Sequence, residues 1–302
     1  MAYSIFKTNY AYSMPPDGFI CLPMSFLRRH TLPGFPLTFG ITLLWVGLLV
    51  VLPLIALVVR PWQDGTATIL QTLHDTRVLA AFRVSFSCAL CAALLDLPLG
   101  ILLAWTLVRL QPPGYRIITA CIDLPFAIPT AVTGITLATL YGPNGWMGKL
   151  LAHAGLQIAF TPAGIVIALM FVGLPFLVRT IEPVLQNFPS EVEEAAFLLG
   201  ATPFQKFYRV ILPAILPATL SGFGLAFARC IGEYGSVIFI AGNQPFRSEI
   251  APLLIVMRLQ EFDYSGATTI AVLLLLTALI CLAGVSFLRL RLSRGLIMEE
   301  VK

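Results

Sequence analysis

Charge is what this sequence has least of. Of 302 residues, 11% are Asp, Glu, Lys or Arg and 58% are apolar, and the mean hydropathy is +0.89. A soluble domain carries about 25% charged residues because its surface faces water, so a soluble enzyme and a disordered chain are both excluded. The net charge of +4 is too small and too scattered for a nucleic-acid binder. Histidine is as sparse: His30, His74 and His153 stand apart, with no H-E-x-x-H and no base–nucleophile pair, so neither a metal site nor an intramembrane hydrolase is expected. Of the cysteines, Cys88, Cys91, Cys121, Cys230 and Cys281 lie within apolar runs and read as small core residues, and Cys21 stands outside them. No G-x-x-x-x-G-K-[ST] occurs, so the chain does not cradle ATP phosphates in a P-loop. There is also no internal repeat, so a pore with two-fold symmetry would need a second chain.

What the sequence does have is long uncharged runs. A bilayer core takes about 20 apolar helical residues, and six stretches qualify: 39–59, 80–108, 117–141, 163–181, 217–241 and 267–288. The first exceeds a signal-peptide core and lacks a small-residue cleavage pattern, so no cleavable signal is expected. With the N-terminus inside, twelve basic residues fall on the cytoplasmic side against six outside, and Arg229 lies within a span. This asymmetry places both termini in the cytoplasm. The fold expected is therefore an all-α membrane protein of six transmembrane helices. Residues 1–34 read as a polar cytoplasmic extension, with Met24 an alternative start, 35–290 as the transmembrane domain, and 291–302 as a cytoplasmic tail. Gly145 to Gly155 reads as a short amphipathic helix at the outer interface, either a lipid anchor or a docking surface for an external partner.

The internal loop 182–216, between the fourth and fifth spans, is built more elaborately than a connection requires. Ser190 and Glu193 have the spacing of a capping box, and Glu191, Glu193 and Glu194 crowd the positive end of the helix that follows. Gly200 should end that helix, Thr202 cap a second one, Pro203 take its first position and Pro213 stop it. Small Ala195 and Ala196 leave one face open to close approach by another protein.

These residues carry a resemblance. Glu194-Ala195-Ala196, then Gly200, Val210 and Leu212-Pro213, resembles the EAA signature of ABC importer permeases, with Val210 in place of the usual isoleucine. Asp123 to Pro129, Gly232 to Asn243 and Arg258 to Tyr264 are similar to the sulfate/thiosulfate branch, in its T-type permease subunit. The resemblance implies a non-catalytic subunit whose loop seats in a cytoplasmic ABC ATPase dimer, with ATP and Mg bound there and no cofactor in this chain. It also implies a sister permease of the W type completing a heterodimeric pore, an external sulfate/thiosulfate-binding protein, and a bacterial inner membrane. Molybdate permeases are built alike, so another oxyanion is the alternative substrate. A proton-coupled secondary transporter using Asp96 is a second alternative, although paired broken segments in matching halves are not evident.

Candidates for the route lie in the third and fifth spans. Arg229 and Glu233 stand one turn apart near mid-membrane, either as a basic group attracting a dianion or as a mutual pair that fixes packing. Thr130, Thr133, Thr136 and Thr139 recur at threes and offer hydroxyls to an oxyanion, unless each bonds its own helix. Gly224, Ala228, Gly232 and Ser236 recur at fours, a small-residue stripe suited to close helix packing. Asp96, in the second span, is expected to pair with another helix.

Overall fold

The structure, a computed structural model, describes residues 35–63 and 65–299. The expected N-terminal extension, its alternative start and the last three residues of the expected tail lie outside that range. Phe35–Pro53 belongs to one compact unit and the chain from Leu54 onward to another. The first unit holds α1 (Phe35–Val46), a π-turn at Gly47–Val51 and the start of α2 (Leu52–Gln63). No strand occurs among the described residues.

The second unit continues through α3 (Thr66–His74), α4 (Thr76–Trp105) and a π-turn at Thr106–Leu110. There follow α5 (Tyr115–Ala127), α6 (Thr130–Tyr141), α7 (Trp146–His153) and α8 (Pro162–Asn187). Then come α9 (Ser190–Leu198), α10 (Pro203–Lys206), α11 (Leu212–Ile231), α12 (Val237–Ile240), α13 (Ala251–Gln260) and α14 (Tyr264–Glu299). Among the described residues, five helical stretches are long and apolar enough to cross a membrane: Leu37–Gln63, Thr76–Leu110, Pro162–Asn187, Pro203–Ile231 and Tyr264–Arg291. The pair α5 and α6 makes a sixth only if taken together, since it bends by 111°.

Two of the expected spans are therefore broken. The stretch 117–141 turns at Ile128-Pro129, where proline offers no N–H and holds Ile128 extended (φ −88°, ψ 132°). The stretch 217–241 ends as helix at Ile231 and resumes only at Val237. Conversely, Pro213 does not stop its helix, because the chain is helical from Pro203 to Ile231. A π-turn at Phe207–Ile211 lies just ahead of it, and the wider turn moves the carbonyl four residues back off the proline ring. The π-turn at Gly47–Val51 stands in the same relation to Pro53. The final helix also runs on to Glu299, into the expected tail.

The centre of the second unit is α4 packed on α8 and α11. Ala89, Ala92, Ala93 and Ala104 are buried on α4 and let α8 come close, while Ala81 packs with Leu254 of α13 and Ile270 of α14. A Cβ on Gly100 would strike the side chain of Leu177, and one on Gly222 would lie 3.1 Å from the Leu177 Cα. Close approach of α4 and α11 to α8 thus falls at these two glycines, while of the expected stripe Gly224 meets Val285 and Ser236 meets Gly134. Ala228 is only partly buried, Gly232 is exposed at the end of α11, and Ser236 is off the helix. Leu79, Leu90, Leu94 and Leu102 on the other face of α4 are exposed, as lipid contact requires.

Gly134 tests the packing of α6 against the break before α12, because a Cβ there would collide with the backbone of Ser236. Gly134→Ala should lower the melting midpoint of the detergent-purified protein by about 5 °C, as expected for overpacking of about 1–3 kcal/mol. Gly284→Ala, with nothing within 4 Å of the new methyl, should leave it unchanged.

Candidate functional site: an apolar elbow and a junction of broken helices

The elbow comprises α9, α10 and the turn between them. Pro189, not Ser190, stands at the N-cap of α9, and no side chain caps it. The expected capping box fails because Glu193 is engaged elsewhere: its Oε2 accepts from Lys206 Nζ at 3.1 Å. Its Oε1 faces Arg109 Nη2 at 2.7 Å, as an ion pair without hydrogen-bond alignment. At the other end Gly200 takes φ +81°, and its N–H bonds the Phe197 carbonyl at 2.9 Å while Ala201 bonds that of Ala196 at 3.0 Å. These two bonds form a Schellman turn. Thr202 then forms a complete capping box with Gln205, and Pro203 takes the first helical position.

This construction presents an apolar tip. Phe197, Leu198, Leu199 and Phe204 are 73%, 84%, 89% and 75% exposed. Glu194 and Ala195 are exposed beside them and Ala196 is half-buried. Val210, Leu212 and Pro213 are partly buried in the helix that leaves the elbow, next to Ile211 in the core. Contiguous exposed apolar surface of this kind marks an interaction site.

The junction is where the two breaks meet. Glu233 is 2% exposed and its Oε1 accepts from both the N–H and the hydroxyl of Ser236, at 2.9 and 3.0 Å, satisfying the broken backbone. Its Oε2 pairs with Arg229 Nη1 at 2.5 Å. Glu233 is thus enclosed by its own segment and does not line an open route, while a third of the Arg229 side chain remains exposed. A Cβ on Gly235 would collide with the Thr130 hydroxyl, so Thr130 faces the break. Thr133 is buried. Thr136 and Thr139 donate to the carbonyls of Val132 and Thr136, both at 2.9 Å, so these hydroxyls serve their own helix.

Asp96 does not find the expected helix partner. It is fully buried against Gly173 and Cys230, and neither carboxylate oxygen has a hydrogen-bond partner. Asp123, by contrast, pairs with Arg179, which also bonds Glu182 at 2.6 Å and so ties α5 to α8.

At the end of α4 remote from the elbow the structure holds a clamp that the sequence did not announce. Arg77 donates through Nε and Nη2 to both oxygens of Glu249, at 2.9 and 2.7 Å, and Glu249 is 1% exposed. Arg258 on α13 reaches Asp75 at 2.9 Å and Asp263 at 3.2 Å. Asp75 accepts from the Arg77 N–H at the start of α4, and Asp263 from the Gly266 N–H at the start of α14. The only sequence signal for these pairs is that their members flank apolar runs.

Residues 96–297 match the family model described as binding-protein-dependent transport system inner membrane component. The chain belongs to that family. As a permease it is a multi-pass membrane component of a transport system. It is 43% identical over 269 residues to the sulfate transport system permease protein CysT of Salmonella typhimurium, covering 89% of this chain and 97% of the relative. It is 46% identical to CysT of Synechocystis, over 82% and 87% of the two chains. With the probable sulfate transport system permease protein cysT of Nephroselmis olivacea it shares 44%, over 83% and 88%. A bacterial ABC transporter involved in the import of alginate shares the permease fold at a TM-score of 0.72 and 17% identity, over 85% of this chain and 96% of that one.

The clamp gives a quantitative expectation. Arg77→Ala leaves Glu249 buried and uncompensated, which should destabilise the permease by about 3 kcal/mol or more. Arg77→Ala/Glu249→Ala should be distinctly less destabilised than the sum of the single variants in denaturant titrations. Strict additivity would show that the pair does not act as a unit.

Proposed function

We propose that this permease is the membrane subunit of an ATP-driven sulfate importer and that the elbow is its grip on a separate cytoplasmic ATPase. The observation that carries the reading is the exposed apolar tip formed by Phe197, Leu198, Leu199 and Phe204, held in shape by a Schellman turn and a capping box. The EAA spacing through Glu194, Ala195, Ala196 and Gly200 supports the same assignment, and the names of the relatives support sulfate. In this reading the elbow faces the cytoplasm of a bacterial cell, both termini lie on that side, and the Arg77–Glu249 clamp faces outward. An external binding protein delivers the anion, a sister permease completes the route, and ATP with Mg acts in the ATPase.

The chain's own part is mechanical. Nucleotide-driven closure of an ATPase dimer displaces the elbow, and the packed α4, α8 and α11 carry that displacement through the membrane as a switch between two states. In this reading Arg229 lines the route, where the exposed third of its side chain, beyond the pair with Glu233, offers hydrogen-bond donors to a dianion. Arg229→Met/Glu233→Gln, which removes the positive charge without leaving a buried acid unpaired, should leave the complex assembled and cut sulfate uptake at least fivefold. Normal uptake by that variant would remove Arg229 from the route.

Uptake of radiolabelled sulfate into membrane vesicles is the deciding measurement. It should require internal ATP, and a proton gradient without ATP should not sustain it. Gly200→Val forces a β-branched residue to positive φ, so the ATPase should no longer copurify while the chain still inserts. An ATPase that stays bound to Gly200→Val at the wild-type level would overturn the elbow assignment.

A further inference from the structure

Glu193 is the only buried residue of α9. The apolar residues at its end, Phe197 and Leu198, point into solvent and not into the bundle. A surface helix is ordinarily held by an apolar face. Here no such face is buried, so the orientation of α9 relative to the spans depends on the single carboxylate of Glu193 and on the turns at its two ends. That carboxylate meets two cations on two different helices. Lys206 lies on α10, which continues into α11, and Arg109 lies in the π-turn that finishes α4. Arg109 also donates to the Phe188 carbonyl at 3.2 Å, at the end of α8. Three central helices therefore converge on one acid at the base of the elbow.

The consequence concerns α4. Its helical stretch, Thr76–Leu110, has no covalent connection to the elbow except through the distant loops and α8. It is 35 residues long, or about 50 Å at 1.5 Å per residue. Its far end carries Arg77 and the clamp onto Glu249 and α13. The Arg109–Glu193 ion pair sets a distance, and the hydrogen bonds beside it, from Lys206 to Glu193 and from Arg109 to the Phe188 carbonyl, add direction.

We infer that Glu193 is the positioning residue through which displacement of the elbow is delivered to α4, by way of Arg109. It lies one residue before the exposed Glu194 and has the opposite orientation: Glu194 faces the solvent side of the elbow and Glu193 the bundle. The inference rests on the ATPase-coupled reading above, and a loss of this link differs from a loss of grip. Without the link the motor still binds and still turns over, but transport no longer follows it.

The test uses the full complex purified from membranes and reconstituted with the ATPase, the sister permease and the external binding protein. Sulfate uptake and ATP hydrolysis are measured in the same vesicles. Glu193→Gln and Arg109→Gln should each retain the bound ATPase and hydrolyse ATP within twofold of the unmodified complex. Each should lower sulfate moved per ATP about tenfold. The double variant should be no worse than either single one, because both remove the same contact. Unchanged uptake per ATP would overturn the inference, as would effects that multiply in the double variant. Loss of the ATPase from Glu193→Gln would also overturn it and make Glu193 part of the grip. Failure of the unmodified complex to bind an ATPase or to need ATP is a separate outcome: it defeats the functional reading and the link with it.

Discussion

Removing a carboxylate from water costs several kcal/mol unless a cation and hydrogen bonds replace its hydration, and in this permease the acids buried in helix-packing positions are nearly all met in that way. Glu249 is held by Arg77, Glu233 by Arg229 and Ser236, Glu193 by Arg109 and Lys206, and Glu182 by Arg179 and Gln186. Apart from the Glu182 set, which lies within α8, these pairs join separate segments or span a break, so pairing also decides which segments meet. Arg258 shows this most directly: one guanidinium joins the aspartates at the starts of α4 and α14. Asp96 is the exception, fully buried among Gly173, Cys230 and Ala226 with neither oxygen hydrogen-bonded.

The second constraint is the backbone. Within hydrocarbon every N–H and carbonyl must be satisfied inside the protein, yet prolines and glycines interrupt several spans. The chain answers in two ways. At two of the prolines within continuous helix, Pro53 and Pro213, a π-turn precedes the ring, whereas Pro98, Pro175, Pro183 and Pro217 sit inside helix without one. Where the helix breaks, two breaks are packed together: the turn at Pro129 against Gly232–Ser236, with glycines 134 and 235 removing the side chains that would hold them apart. Glu233 then supplies the acceptor for the freed Ser236 N–H. Broken helices that meet inside a bundle are where membrane transporters place polar groups, and here Arg229 and Thr130 are found there.

Several features were legible without coordinates because their causes are local. The elbow's turn at Gly200 and the cap at Thr202 follow from neighbours within a few residues, and both appear in the structure as the sequence pattern implied. The Ser190–Glu193 box had the same local pattern but did not form, since a remote arginine and Lys206 compete for the same carboxylate. Of the two readings that the threonine series left open, Thr136 and Thr139 take the second and bond their own helix, a choice that periodicity by itself does not make. The small-residue stripe failed because the helix ends at Ile231, before its last two members.

Hydropathy alone settled that the chain crosses a membrane, since the cost of charge in lipid acts on composition and needs no contacts. Capping chemistry alone settled that one helix ends at a tight turn at Gly200 and another begins at Thr202, whereas the exposure of Phe197, Leu198, Leu199 and Phe204 came only with the structure. Only the tertiary structure decided which arginine meets which acid, as between Arg77 and Glu249, 172 residues apart, or Arg258 and Asp75, 183 apart. A lone charge beside an apolar run records that it needs a partner, but the choice among equivalent partners is made by helix packing, which no short stretch of sequence contains.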